Sequence, residues 1–121
     1  LEHDLFEAAH IYRAAELYLC IAEAKRLLRR RQVWFASSSL DGSWIPLGDF
    51  AAADFNISHG ELIRAGADER MELDPAAPLR FLYQTAGDLE MLKPYGRVRW
   101  KIGVLESRLP LRIDQIRQLV R

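Results

Sequence analysis

Lys25-Arg26-Leu27-Leu28-Arg29-Arg30-Arg31-Gln32 sets five bases in eight positions and runs straight into Val33-Trp34-Phe35-Ala36. Its reading decides the fold. Taken as the basic end of a helix, it divides the chain into a helical part before it and a sheet part after it.

On the N-terminal side, residues 2–31 hold neither Pro nor Gly and are rich in Ala, Leu, Glu and Arg, all good helix formers. Leu5, Tyr12 and Leu19 recur every seven residues, with Ala8, Ala15 and Ala22 three positions after each. That spacing predicts an a/d seam with a small-residue side. Acids at Glu2, Asp4 and Glu7 and bases from Lys25 to Arg31 suit the two ends of a helix dipole. Residues 1–32 are therefore expected as one oligomerisation helix, roughly 45 Å long. Leu17, Ile21, Ala24 and Leu28 form a second apolar stripe, so the helix wants two partners. A homo-oligomer is expected through Leu5, Ala8, Tyr12, Ala15, Leu19 and Ala22; packing on the chain's own sheet is the other arrangement. His3, Glu7 and His10 share one helical face, and Glu7-x-x-His10 has the spacing of a di-iron ligand pair. No second such pair exists, so this face is read as solvated and no metal is expected.

On the C-terminal side, Val33–Ser39 reads as a strand, Asp41-Gly42 as a hairpin turn, and Trp44–Leu47 as the return strand. Glu61–Ala65, Met71–Asp74 and Leu79–Gln84 are further short strands. Gly96–Leu105 alternates Val98, Trp100 and Ile102 with Arg97, Arg99 and Lys101, which predicts one buried and one basic face. Residues 114–121 read as a short helix. The expected fold class is α+β: a small six-stranded antiparallel β-barrel over residues 33–121, a long N-terminal helix and a short C-terminal helix.

The 121 residues suit one domain. Cys20 is the sole cysteine, excluding an internal disulfide framework and zinc-type spacing, and is read as a buried, inert thiol. No apolar run approaches a membrane span, and the first residues lack the pattern of a signal peptide. The expected compartment is the cytoplasm. Net charge is zero, divided as +1 over residues 1–32, −7 over 33–90 and +6 over 91–121. Basic and acidic segments of this kind pair within a fold or between subunits.

Arg26-x-x-x-Arg30 at the entry to the first strand, and Asp54-Phe55-Asn56-Ile57-Ser58-His59-Gly60 between two strands, together resemble the PilZ domain, a bacterial receptor family for cyclic diguanylate (cyclic di-GMP). The resemblance covers residues 26–121. It implies that Arg26 and Arg30 clamp phosphate and guanine, that Asn56 and Ser58 contact a guanine edge, and that Gly60 admits the ligand to the backbone. Guanidinium forks and short polar turns suit such a task. The implied function is a non-enzymatic signalling adaptor that binds cyclic di-GMP as a regulatory ligand, or has lost it and works through a protein partner. No other cofactor is implied. Trp100–Leu119 is also similar to switch-complex and type III secretion ring domains, which makes an assembly subunit of a secretion, pilus or flagellar apparatus the alternative. Nucleic-acid binding through Lys93, Arg97, Arg99 and Lys101 ranks behind both, because the acidic middle repels a phosphate backbone. His59 stands near Asp54 and Glu61, but without a nucleophile motif, a phosphate loop or metal spacing. No catalytic residue is expected.

Overall fold

The computed structural model describes residues 4–26, 29–50 and 55–121. Leu27, Leu28, Asp54 and the N-terminal His3 lie outside them, as do the side chains of Leu5 and Arg26. The first half of the chain is strand, not helix. β1 spans Asp4–Ala14, β2 Leu17–Arg26, β3 Arg29–Ser37 and β4 Ile45–Phe50. They pair as consecutive antiparallel neighbours, and the short β6 (Glu72–Leu73) joins in parallel on the far side of β1. The sheet order is β4-β3-β2-β1-β6. β5 (Phe55–Leu62), β7 (Pro78–Gly87) and β8 (Lys101–Pro110) form a second antiparallel sheet in that order. Among the described residues neither sheet closes on itself, so the expected barrel is replaced by two open sheets.

The seven-residue recurrence has a different origin from a helix seam. Tyr12 and Leu19 are direct partners across the β1–β2 hairpin, so their spacing measures a chain reversal. The reversal is a two-residue turn at Ala15-Glu16, with Ala15 at φ 54°, the left-handed conformation that tight hairpins demand. Burial follows the strand period of two: Tyr12 and Ala14 alternate with exposed Ile11 and Arg13, and Leu17, Leu19 and Ile21 are all buried. Tertiary pairing has overridden helix propensity. The proposed interface residues are dispersed accordingly. Tyr12, Leu19 and Ala22 are buried within the chain, Ala15 is in the turn, and Ala8 is half-buried on a bulge. Of Lys25–Gln32, the described residues lie on the two arms of the β2–β3 pair, where Arg26 pairs with Arg29 and Lys25 with Arg30. The boundary expected between residues 32 and 33 falls inside β3.

The sheets pack face to face. Tyr12, Leu17, Leu19, Ile21 and Ala36 of the first meet Ile57, Leu62, Phe81 and Tyr83 of the second. The opposite face of the first sheet carries a smaller cluster, Ala24, Val33 and Phe35, with Cys20 and Trp44 against it. Cys20 is half-buried, and burial pushes its thiol pKa up, away from the reactive thiolate. β8 starts later than expected, after a 3-10 turn at Tyr95–Arg97. Its exposed face holds Ile102 and Val104, while Gly103 and Leu105 turn inward opposite Tyr83 and Phe81. Of the apolar positions read as buried, Ile102 is exposed, whereas Val98 and Trp100, ahead of β8, are half-buried between exposed bases. A one-turn helix α1 (Asp88–Met91) follows β7, and α2 (Ile113–Leu119) closes the chain. Ile116 of α2 is buried in the main core, and Arg117 donates to Glu16 of the β1–β2 turn. No helix among the described residues is long and apolar enough to cross a membrane.

One close contact joins the two sheets, and another fixes the packing of β5 on β7 within the second. The Tyr12 hydroxyl accepts a hydrogen bond from the Leu62 N–H at 2.9 Å. Burial is the main cause that pushes its pKa up to about 12. A Cβ on Gly60 would stand 2.2 Å from Cζ of Phe81 and 2.9 Å from the Leu82 carbonyl, so glycine is required there by packing rather than by a ligand.

Two stability measurements check these contacts. Tyr12→Phe leaves the Leu62 N–H buried without its acceptor, and urea denaturation should show a loss of about 1–3 kcal/mol. The raised phenol pKa means the native state keeps a proton that the unfolded chain releases. Wild-type stability should fall between about pH 10 and 12 by roughly 2–3 kcal/mol, and Tyr12→Phe should remove that slope. Gly60→Ala presses on the Phe81 ring of the neighbouring strand β7 and should cost about 1–3 kcal/mol in the same assay; an unchanged midpoint would contradict the packing described.

Candidate active site

At one end the facing surfaces of the two sheets turn from apolar to charged. On β2 the inward series Leu17, Leu19, Ile21 ends in Glu23, which is fully buried. A buried carboxylate is costly unless paired and hydrogen-bonded, and here it is both. Its Oε1 accepts from Arg30 Nη1 at 2.7 Å and from Ser58 Oγ at 3.1 Å. Its Oε2 accepts from the His59 backbone N–H at 3.0 Å, with His59 Nδ1 at 3.3 Å.

Directly across the β1–β2 ladder from Glu23 lies Glu7. Like charges facing each other on adjacent strands repel, and two bridging groups offset this. Arg30 Nη1 reaches Glu7 Oε1 at 3.5 Å, and His59 Nε2 reaches it at 3.7 Å. Glu7 differs from Glu23 in exposure: its side chain is 45% exposed. Register shifts flank it on both sides, between Leu5 and Glu7 and between Glu7 and His10. The following Ala8 has φ 53°, a strained conformation for a residue with a side chain. β-bulges of this kind re-aim side chains and recur beside active sites. His59 is the extra residue of a matching irregularity in β5, between Ser58 and Gly60. Two bulges, one from each sheet, thus bring Glu7 and His59 together.

The residues expected to hold cyclic di-GMP are accounted for differently. Arg30, Asn56 and Ser58 do come together, but around Glu23. Asn56 and Ser58 are each only 1% exposed. Asn56 Oδ1 accepts from the Arg30 backbone N–H at 2.8 Å, and its Nδ2 donates to Asp88 Oδ1 at 2.9 Å. Asp88 Oδ2 in turn accepts from Arg29 Nη2 at 2.7 Å. These side chains join the sheets and offer no surface to a nucleotide. Arg26 and Arg30 stand on the two antiparallel arms of a hairpin, so they are not successive turns of one clamp. Glu7 and His10, read as one helical face, separate: Glu7 joins the cluster, and the His10 ring lies 6.4 Å from that of Tyr12. A cleft of about 260 Å³ opens beside the cluster, lined among others by His10, His59, Glu61, Tyr83 and Gln84.

Glu7, Glu23 and His59 offer ligand atoms within 4.8 Å of one another. Arg30 sets one positive charge between the two carboxylates. What the arrangement can do chemically is present one accessible carboxyl group, Glu7, in a fixed place beside a cation and an imidazole. The sequence signal for it was slight, since Glu7, Glu23, Arg30 and His59 are scattered over four strands.

Comparison with known proteins points to one family. The family model described as "Glycosyl hydrolase family 62" matches residues 1–106. The curated Alpha-L-arabinofuranosidase C of Cellvibrio japonicus (strain Ueda107) is 38% identical over 118 residues, covering 84% of this chain and 19% of that protein. Among solved structures, the catalytic domain of a Coprinopsis cinerea GH62 alpha-L-arabinofuranosidase superposes with a TM-score of 0.71 at 33% identity, over 86% of this chain and 38% of that one. A Podospora anserina alpha-L-arabinofuranosidase in complex with cellotriose gives 0.72 at 29% identity, over 88% and 39%. A GH62 hydrolase in complex with xylotriose gives 0.73 at 32% identity, over 85% and 38%. This chain therefore spans about a fifth of the curated relative's length and under two-fifths of the solved structures. These matches overturn the PilZ resemblance, the signalling and assembly functions attached to it, and the expectation of a non-enzyme. The chain belongs to glycosyl hydrolase family 62.

Proposed function

We propose that this chain forms part of a glycosidase that removes α-L-arabinofuranosyl groups, and that Glu7 is one of its two catalytic carboxyl groups. The observation that carries the assignment is Glu7 itself: a partly exposed carboxylate, set between two bulges beside a strained residue, facing Arg30 and His59. Family membership supplies the reaction class, and the names of the relatives supply the sugar. A solved relative bound to xylotriose favours a xylose-based polymer as the carrier of the arabinose.

Hydrolysis of a glycoside breaks the bond between the anomeric carbon and the leaving oxygen. One carboxyl group protonates that oxygen, and water adds its hydroxyl to the anomeric carbon with help from a second carboxylate. Glu7 suits the proton-transfer role because its carboxyl group reaches solvent while its surroundings hold it in place. Glu23 does not supply the second group: it is fully buried and both its oxygens are engaged.

The assay is release of arabinose from an arabinofuranosyl-substituted xylo-oligosaccharide, whose sugar hydroxyl leaving group needs the proton. Glu7→Gln should lower kcat by about 10²–10⁴-fold with the fold intact. Glu106→Gln, an exposed carboxylate paired with Arg80 on β8's outer side, should stay within about twofold of wild type. Full activity in Glu7→Gln would overturn the assignment.

A further inference from the structure

Arg30 is where the two sheets, the buried acid and the exposed acid meet. Its side chain is 13% exposed, and one nitrogen, Nη1, faces both Glu23 at 2.7 Å and Glu7 at 3.5 Å. The short contact is to the acid that cannot move. Glu23 is held by the Ser58 hydroxyl and the His59 N–H, both from the second sheet. The backbone under Arg30 is held from the same sheet, by Asn56. Asn56 is itself fixed by Asp88, whose other oxygen takes Arg29. The guanidinium is thus anchored at both its head and its base before it reaches Glu7.

A counter-ion for Glu23 alone would not need this placement. A lysine ammonium satisfies one buried carboxylate as a point charge. The guanidinium plane fixes the directions of the two N–H bonds on Nη1, whereas an ammonium turns freely about its last bond. Glu7 also sits on an irregular strand, where the ladder that would otherwise fix its backbone is interrupted on both sides. Its carboxyl therefore depends on side-chain partners for its position.

We propose that Arg30 is a positioning residue for Glu7, and that Glu23, Ser58 and Asn56 are there to hold Arg30. The inference rests on the reading of Glu7 as a catalytic carboxyl group. It makes Glu23 a fixed anchor whose effect on the reaction passes through Arg30, although no substrate reaches it.

The test is steady-state kinetics of arabinose release from an arabinofuranosyl-substituted xylo-oligosaccharide with three variants. Arg30→Lys keeps a charge for Glu23 and loses the second direction. It should fold, lose about 10–100-fold in kcat, and hold KM within about twofold, as a displaced catalytic group does. Combined with Glu7→Gln, the same change should lower the residual rate by less than about threefold, because the group being positioned is already gone. If Arg30→Lys does not fold, Glu23→Gln with Arg30→Gln removes both charges together and leaves no buried charge unpaired; it should show the same loss in kcat. A folded variant with wild-type kcat, or a full second loss on top of Glu7→Gln, would overturn the proposal. Wild-type activity in Glu7→Gln alone is a separate result: it would overturn the reading of Glu7 and this inference with it.

Discussion

Burial of the Glu23 charge is the constraint on which the charged end of the molecule depends. Removing a carboxylate from water is tolerated only where charge and hydrogen bonds replace the water. The replacements come from both sheets: Arg30 from β3, and Ser58 and the His59 N–H from β5. Leaving such a charge unpaired costs on the order of 3–5 kcal/mol, a large share of a small domain's stability. The two sheets are therefore locked together at this end by electrostatics, as they are at the other end by Tyr12, Leu62 and Phe81.

The same arrangement sets up the chemistry. Pairing Glu7 across from Glu23 would be unfavourable by itself. Bulges on β1 and β5 bring Glu7 and His59 into the shared space, where Arg30 and His59 stand between the two acids. One acid ends up sealed and the other accessible. A strained Ala8 and an interrupted ladder are costs to folding, and they fall beside the group that needs an exceptional orientation. Function and instability share a location, as is common where local rules are broken in an otherwise consistent sequence.

How much of this could be read from the sequence varies along the chain. β3 from Val33 onward, β7 and the segment of α2 carried legible patterns of strand and helix. The first 32 residues misled because their composition favours helix and their turn, Ala15-Glu16, carries none of the usual Gly or Asn signals. The strand signal was nevertheless present in Leu17, Leu19 and Ile21, which alternate at period two and could have outweighed the heptad count. The paired motif around Arg30, Asn56 and Ser58 did mark residues that meet in space. Their burial, which only the fold reveals, makes them internal supports rather than ligand contacts. Glu7 could not be singled out, because its role arises from a register shift and from partners 16 to 52 residues away.

The catalytic role of Glu7 turns on where the scissile bond sits relative to it. The most direct measurement is a crystal structure of the Glu7→Gln protein soaked with an arabinofuranosyl-substituted xylo-oligosaccharide. The glycosidic oxygen is predicted to lie within hydrogen-bond distance, about 3 Å, of the side chain at position 7, with Arg30 still bridging to Glu23. A bound arabinofuranoside whose glycosidic oxygen is addressed by a different carboxyl group, with position 7 out of reach, would contradict it.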